Sequence, residues 1–296
     1  MKCKPLISVI INCYNGEEYL REAIDSVMAQ TYDNWELIFW DNQSTDDTYS
    51  IVKSYQSPKI HYFYAHEHTQ LGEARNFAVN VANGDYINFL DADDVWAPDK
   101  LEMQVAQIVP HEAEVVYTPF KVIYGVNVNG KMKAMYLKHE RRKCYEGDVY
   151  DKLLLENHII FSSVLMSRAL YQACGGVNGY FQQYEDWELL LKASLKTRFA
   201  VAKDTYTFYR VHGGNNTSKN GVKCILEMRE ILENLPASKA VSEANKRNET
   251  RYAYHYYIKK CKILTGIKHV FRYGDIFFLI SLVPKWLSQE LEKCER

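Results

Sequence analysis

The sequence predicts an α/β protein with a mostly parallel central sheet flanked by helices, and two observations support this. Short apolar runs alternate with amphipathic segments through residues 6–96. The first run, LISVIIN at 6–12, is rich in β-branched residues and lacks polar alternation, which is typical of a strand buried on both faces. Strands that alternate with helices at this spacing favour βαβ units, whose strands run parallel.

Four strands with helices between them make up the first part of the pattern. The predicted strands are LISVIIN (6–12), WELIFW (35–40), KIHYFY (59–64) and YINFL (86–90). We expect Asn15 to cap the first helix, because its side chain can accept a free backbone N–H. The second helix runs through Tyr55, with caps expected from Ser44, Thr45 and Asp46. The third, at 73–83, ends at Gly84.

The pattern is looser after the fourth strand. The predicted elements are a helix at 99–108, a strand at 114–124, a hairpin or surface loop at 125–148, a strand at 159–167 and a helix at 185–195. A Gly/Asn/Ser-rich stretch at 212–221 then predicts a domain boundary, since it has no apolar period. The residues that follow it read as helical, with aromatic and basic side chains interleaved.

Composition excludes several classes of protein. A net charge of −1 with 25% charged residues gives no reason to expect a nucleic-acid partner. The seven cysteines are scattered and show no metal-binding spacing, which fits reduced thiols in a cytoplasm. No apolar stretch reaches the roughly 20 residues that a membrane span requires, and the first residues lack an apolar run long enough for a secretory signal. We therefore predict a cytoplasmic protein.

Polar clusters follow three of the predicted strands. They lie at 12–15, 41–46 and 91–94. Ligands of open parallel sheets bind outside the carboxyl ends of the strands, so the three clusters are expected to share one crevice.

The third cluster places three acids within four positions, in the segment YINFLDADDVW. Asp91, Asp93 and Asp94 repel one another unless donors, solvent or a cation stabilise them. Mg²⁺ and Mn²⁺ prefer oxygen ligands and take few of them from protein. By themselves these residues leave two interpretations open, a cation site or a loop whose acids cap the helix after Pro98.

Four motifs carry a resemblance to a known family. SVIINCYN, WDNQSTDDT, GEARNFAVNVANGDYINFLDADD and YEDWELLLKA resemble, in order, the motifs of the nucleotide-sugar-dependent glycosyltransferases of family 2, which have the GT-A fold. The match covers residues 6 to about 220. Asn12 and Cys13 replace the common Pro and Thr, and Asn42–Gln43 replaces Asp–Gly; these departures are expected to change loop stiffness more than chemistry.

The resemblance implies a Rossmann-like GT-A catalytic domain at 1–220. Its nucleotide-binding half would span about 1–95 and its acceptor half about 96–220, with 221–296 as a helical C-terminal extension. The extension matches no motif. Its basic and aromatic stretch 251–264 and its apolar segment 275–287 could contact the inner face of the plasma membrane, form a homodimer, or pack on the catalytic domain.

The resemblance also implies where metal and donor bind. Asp93 would bind Mn²⁺ or Mg²⁺ directly, and Asp91 would contact the ribose or a metal-bound water, with Asp94 behind them. His212, in the segment YRVHGGNNTS, is either a third ligand on the metal side or an ordinary surface histidine. The Gly/Asn-rich loop around it is a candidate mobile lid.

Three further residues are implied in donor binding. Asp41 resembles the residue that accepts the uracil imide N–H, although it could instead be a helix cap. Arg75 resembles an arginine that contacts base or diphosphate, the alternative being a solvated helix charge. Asn15 is expected to line the nucleotide pocket.

The pair Glu185–Asp186 matters most for the reaction. Inversion at the anomeric carbon needs a base that removes the proton of the acceptor hydroxyl. By resemblance Asp186 is that base, and Glu185 orients it or contacts the acceptor. Both acids would also suit the first turn of a helix electrostatically, which is the alternative explanation.

These expectations together predict an inverting, metal-dependent hexosyl- or N-acetylhexosaminyl-transferase. A UDP-sugar is the expected donor, with dTDP- or GDP-sugars as alternatives, and the acceptor would be a saccharide, lipid-linked or glycoprotein substrate in bacterial surface glycan or glycoprotein biosynthesis. One rival is an inactive nucleotide-sugar-binding scaffold of the same fold. A nucleotidyltransferase would need a basic, Gly-rich loop after the first strand, where this chain has NCYNGEEY.

Overall fold

The structure is a computed structural model that describes most of the chain. The described residues are 4–111, 113–128, 131–138, 143–213, 221–253, 269 and 272–274. The chain divides into two compact units, 1–214 and 215–296.

The first unit contains eleven strands and seven α-helices among the residues described. The strands are β1 (Ile7–Cys13), β2 (Trp35–Asp41), β3 (Ile60–Tyr64), β4 (Tyr86–Phe89), β5 (Val95–Trp96), β6 (Val115–Tyr117), β7 (Phe120–Val128), β8 (Lys131–Lys138), β9 (Val164–Ser167), β10 (Phe199–Val201) and β11 (Thr207–Val211). The helices are α1 (Leu20–Met28), α2 (Thr48–Lys53), α3 (Leu71–Asn80), α4 (Lys100–His111), α5 (Tyr150–Leu155), α6 (Arg168–Ala173) and α7 (Glu185–Ser194).

The central sheet has seven strands in the order β10-β6-β9-β4-β1-β2-β3. Strand β9 runs antiparallel to both of its neighbours, and the other described pairs of this sheet are parallel. This mixed α/β architecture confirms the predicted fold class. The uninterrupted β-branched run of β1 is explained by its position between β2 and β4, where nearly all of its residues are buried.

Helix α1 shows why the core forms on one side of β1. Leu20, Ile24 and Val27 recur at helical spacing and are fully buried, so they form the apolar stripe that packs toward the sheet. Each such side chain contributes on the order of 1.5–3 kcal/mol when it is removed from water. Arg21 and Asp25 of α1 are exposed, whereas Ser26 is buried. Glu22, which is partly exposed, contacts a residue of the candidate site.

A smaller sheet, of order β5-β11-β7-β8, brings distant parts of the chain together. Strand β5 directly follows the acidic turn at 91–94 and pairs antiparallel with β11, which leads into His212. Strand β11 in turn pairs with β7, and β7 forms a hairpin with β8. The hairpin overlaps the segment 125–148, where the sequence predicted a hairpin or surface loop, but its first strand already begins at Phe120.

Two predicted strands differ from the structure. The strand expected at 114–124 is two strands, because Pro119 has no N–H to donate and the chain changes sheets there. The strand expected at 159–167 begins with one turn of 3₁₀ helix at Phe161–Ser163 and only then enters β9.

The predicted helix caps were largely wrong. Helix α1 starts at Leu20 with Tyr19 at the N-cap position, and Asn15 has a φ of 53° in the preceding loop. The side-chain oxygen of Asn15 accepts the N–H of Thr45 at 2.8 Å, and Ser44 Oγ accepts the N–H of Asn15 at 3.0 Å. These groups therefore join two loops. Only Asp46 acts at its predicted helix, where its carboxylate accepts the N–H of Thr48.

The second unit contains two described helices, α8 (Gly221–Glu233) and α9 (Lys239–Tyr252). Arg229 on α8 forms a two-bonded ion pair with Glu249 on α9. The apolar segment at 275–287 and nearly all of the stretch 251–264 lie outside the described residues, so the expectations for membrane or dimer contact stay predictions. Within the described ranges, no helix is both long and apolar enough to cross a membrane.

Candidate active site

The three polar clusters meet at one edge of the central sheet. Cys13 and Asp41 are register partners at the carboxyl ends of β1 and β2, and Ile10 of β1 pairs with Phe89 near the end of β4. The acids at 91–94 begin two residues after β4. The loops that follow these three strands therefore face a common space, as parallel strand order requires.

Asp41 is buried, with 1% of its surface exposed, and both of its carboxylate oxygens accept hydrogen bonds. Oδ1 accepts the N–H of Ser44 at 2.7 Å, and Oδ2 accepts the hydroxyl of Tyr62 at 2.7 Å. These bonds fix the turn in which Gln43 has a φ of 70°. Asp41 thus organises the loop after β2. Its contact with the uracil base of a donor stays a prediction. Nothing in the sequence of β3 distinguishes Tyr62 from its neighbours, so its contact with Asp41 was not predictable.

The loop after β2 also holds the loop that precedes α3. Asn42 donates to the carbonyl of Thr69 at 2.8 Å and accepts its N–H at 3.2 Å. The carbonyl of Asn42 lies 2.8 Å from His68 Nδ1, and the His68 ring contacts the exposed ring of Tyr14. The residue that departs from the family pattern at position 42 therefore has a clear structural role.

Arg75 lies inside the protein between two acids. It is 4% exposed; one terminal nitrogen is 2.7 Å from Glu185 Oε1 and the other is 2.9 Å from Asp91 Oδ1. The guanidinium also lies 4.7 Å from the centre of the Phe161 ring, within the range of a cation–π contact. Arg75 is therefore not a solvated helix charge. It joins α3 to the acidic turn and to the start of α7.

Loss of this guanidinium is expected to destabilise the first unit. Arg75→Met should lower the free energy of unfolding by about 3 kcal/mol, because the buried carboxylate of Glu185 would lose the cation that balances its charge. Urea denaturation followed by circular dichroism measures the change. Arg75→Met combined with Glu185→Leu should recover part of the loss, and a single-variant loss below about 1 kcal/mol would contradict the assigned role.

Asp93 and His212 form a contacting pair. Asp93 Oδ2 and His212 Nε2 are 2.8 Å apart, although the residues are 119 positions apart in sequence. Burial and the neighbouring charge of Asp91 raise the pKa of Asp93. Burial also raises the pKa of Asp94 well above its ordinary range, and Asp94 Oδ1 accepts the N–H of Arg210 at 2.9 Å. Asp94 therefore anchors the acidic turn to β11.

These side chains suit a divalent cation that is completed by other ligands. A carboxylate and an imidazole are suitable ligands for Mn²⁺, and Asp91 adds a partly exposed carboxylate nearby. Among the residues described, no three acidic, histidine or cysteine side chains already converge as a metal cage. This fits the usual Mg²⁺ arrangement of one or two carboxylates plus substrate phosphates. Asp93 and His212 are the groups that could hold such an ion.

Arg210 is a further site residue, and it is not among those predicted from the sequence. It is fully buried, its Nε donates to the carbonyl of Asp93 at 2.7 Å, and a terminal nitrogen lies 2.8 Å from Glu22 Oε2. A signal was present in the sequence, since Arg210 stands two positions before His212 and such residues lie on one face of an extended chain.

Glu185 and Asp186 open α7 but have different surroundings. Glu185 is buried and bound to Arg75, whereas Asp186 is half-buried. Burial and the charge of Glu185 raise the pKa of Asp186 to about 7, although Arg75 acts in the opposite direction. A carboxyl group with this pKa can exchange protons near neutral pH, as a general base must.

The sequence of the chain matches a family model and curated proteins. The model described as Glycosyl transferase family 2 matches residues 8–175, more than half of the chain. A protein named UDP-Glc:alpha-D-GlcNAc-diphosphoundecaprenol beta-1,3-glucosyltransferase WfgD, from Escherichia coli, is 30% identical over 187 residues, covering 63% of this chain and 70% of that protein. WfaP, with the same activity in its name and from the same organism, is 27% identical over 230 residues, covering 78% and 86%.

Solved structures show the same fold. The structure of S. aureus TarS 1-349 in complex with UDP-GlcNAc has a TM-score of 0.67 at 19% identity, covering 90% of this chain and 80% of that one. The mannosyltransferase PcManGT from Pyrobaculum calidifontis, in complex with GDP-Man and Mn²⁺, has a TM-score of 0.65 at 16% identity, covering 98% and 81%.

Proposed function

The chain belongs to glycosyl transferase family 2 and has the GT-A fold, and from this premise we propose an inverting, divalent-metal-dependent transferase that uses a UDP-sugar. The observation that carries the proposal is the position of Arg75. By contacting Asp91 and Glu185 together, it places the acidic turn beside the pair Glu185–Asp186. The groups for the donor diphosphate and for the acceptor proton thus lie on adjacent segments.

The donor would bind in the loops after β1, β2 and β4. The Asp41 loop and Asn15 would hold the nucleotide, since their backbone is fixed by the loop-to-loop bonds described above. WfgD and WfaP carry UDP-Glc in their names, and the TarS complex contains UDP-GlcNAc. These relatives support a UDP-linked hexose or N-acetylhexosamine as the first donors to test.

Asp93 and His212 would hold Mn²⁺ or Mg²⁺, and Asp91 would face the ribose or a metal-bound water. When bound, such an ion stabilises negative charge that develops on a diphosphate leaving group. Asp93 and Asp94 remain fixed relative to β11 through their bonds to Arg210. The backbone of this turn is therefore held in place before the donor enters.

Asp186 would act on the acceptor. As the acceptor oxygen attacks the anomeric carbon and the bond to the diphosphate breaks, the hydroxyl proton passes to the Asp186 carboxylate. A single displacement of this kind inverts the configuration. Glu185 would orient Asp186, because its own carboxylate is buried against Arg75.

The acceptor is proposed to be a saccharide, lipid-linked or glycoprotein substrate of a bacterial glycan pathway. The names of WfgD and WfaP describe a sugar acceptor joined to diphosphoundecaprenol. A lipid-linked acceptor would bring the enzyme to a membrane surface, consistent with the predicted location at the inner face of the plasma membrane.

The rate of transfer is expected to depend on pH with an acidic limb near pH 7. The pKa of Asp186 is raised to about 7 by burial and by Glu185, and only its deprotonated form accepts a proton. Consequently kcat/KM should rise as the pH increases through this value and then level off. Initial rates between about pH 5 and pH 9 test this, and a flat profile would contradict Asp186 as the base.

A donor screen tests the proposed function as a whole. Thermal shift and slow donor hydrolysis would be measured with UDP-, GDP- and dTDP-sugars, each with Mn²⁺, Mg²⁺ or EDTA. Metal-dependent stabilisation by UDP-sugars, with hydrolysis of one of them, is the expected result. Stabilisation by another nucleotide alone would correct the donor, and binding without hydrolysis or transfer would favour the inactive scaffold.

A further inference from the structure

We propose that Arg210 is a positioning residue, which holds Asp93 and His212 in the geometry that receives the metal and the donor diphosphate. The inference rests on the proposed function, because it concerns how the same site is held. It adds a residue and a helix, α1, that the proposed chemistry does not itself require.

Arg210 joins three segments that are far apart in sequence. Its backbone N–H donates to Asp94, its Nε donates to the carbonyl of Asp93, and a terminal nitrogen contacts Glu22 on α1. The first bond holds the side chain of Asp94, and the second holds the backbone of Asp93. The third connects that turn, through the guanidinium, to a helix of the central core.

Tyr19 connects the same guanidinium to His212. The centre of the Tyr19 ring lies 4.6 Å from Cζ of Arg210 and 4.9 Å from the centre of the His212 ring. The tyrosine is buried, so its ring limits where either neighbour can move. Arg210 therefore constrains Asp93 directly, and it constrains His212 both through the end of β11, which directly precedes the histidine, and through the Tyr19 ring.

The guanidinium group is suited to this role and an ammonium is not. Arginine presents donors in a rigid planar fork, so one side chain can contact the Asp93 carbonyl and the Glu22 carboxylate in fixed directions while its face packs on a ring. Lysine keeps the charge but carries one nitrogen at the end of a flexible stem. Arg210→Lys therefore keeps the positive charge and removes the fixed arrangement of donors.

The experiment is a titration of Mn²⁺ in the presence of saturating UDP, with free Mn²⁺ measured by electron paramagnetic resonance. We expect Arg210→Lys to raise the Kd for Mn²⁺ about 10-fold to 100-fold, the range typical for partners that orient metal ligands. Circular dichroism and the melting temperature of each variant show whether it is folded.

Arg168→Lys is the matched control. Arg168 also donates from its guanidinium to a backbone carbonyl, that of Ala82 at 2.9 Å, but it lies beside the start of β4. A general effect of replacing a structural arginine would move the melting temperature in both variants. In Arg168→Lys, unlike Arg210→Lys, we expect the Kd for Mn²⁺ to stay within about twofold of the wild-type value.

Glu22→Gln supplies a second test if Arg210→Lys does not fold, because the Glu22 side chain is partly exposed. It should raise the same Kd about threefold or more. An unchanged Kd in folded Arg210→Lys, or in Glu22→Gln when that is the variant available, would overturn the inference while leaving the proposed function intact. Wild-type protein without UDP-dependent Mn²⁺ binding would overturn the metal assignment and the inference together.

Discussion

Asp93→Ala is expected to abolish the dependence of UDP binding on Mn²⁺. The carboxylate of Asp93 contacts His212 at 2.8 Å and would provide the charged ligand at this position. A metal ion supplies several kcal/mol of charge stabilisation in such reactions, so transfer should fall by about 10³-fold or more. Calorimetric titration of UDP, with Mn²⁺ and then with EDTA, measures the binding, and donor turnover measures the rate.

A charge control separates this effect from general electrostatics. Asp47 is an exposed acid at the start of α2, in one of the neighbouring loops, and Asp47→Ala should leave Mn²⁺-dependent binding nearly unchanged. If Asp93→Ala retained both metal-dependent binding and turnover, the metal would have to lie elsewhere.

Asp186→Asn should retain donor affinity while transfer falls by about 10²–10⁴-fold. The amide has nearly the shape of the carboxylate but cannot take the proton of the acceptor hydroxyl. Single-turnover transfer with saturating donor measures the chemical step, and UDP titration measures the affinity. Asp151→Asn, at an exposed acid of α5, is the matched control. Unchanged transfer in Asp186→Asn would remove this residue from the reaction.

The same variant has a stability signature that does not depend on activity. The pKa of Asp186 is raised in the folded protein, so the acid favours folding at low pH and loses this contribution as the pH rises through about 7. Asp186→Asn carries no such charge. Its melting temperature should therefore increase relative to wild type more at about pH 8 than at about pH 5, and the reverse order would contradict the raised pKa.

The fold was predictable because its signals are local. The β-branched run of β1 and the helical spacing of Leu20, Ile24 and Val27 reflect burial that repeats along each element. The position of Asp91 and Asp93 after β4 follows equally, since parallel strands bring their carboxyl ends to one edge. Order and period along the chain were enough for these conclusions.

Helix caps and strand limits were less predictable, because they depend on competition between local and distant partners. Asn15 could cap a helix, but its side chain instead binds the N–H of Thr45 in another loop. Likewise, the run at 114–124 reads as one strand until Pro119 directs its two halves into different sheets. The propensity of a residue describes which bonds it can form, and it does not show which partner lies beside it in the folded protein.

The sequence by itself determined the family motifs, the α/β class and the acids that face the crevice. Only the tertiary structure decided how those groups are paired. Arg75 meets Glu185 across 110 positions and Arg210 meets Glu22 across 188. The first of these contacts holds Glu185 in the interior, whereas the adjacent Asp186 is half-buried. The physical reason is that charge pairing and burial are set by distance in space, which the folded path of the chain fixes and local sequence patterns do not contain.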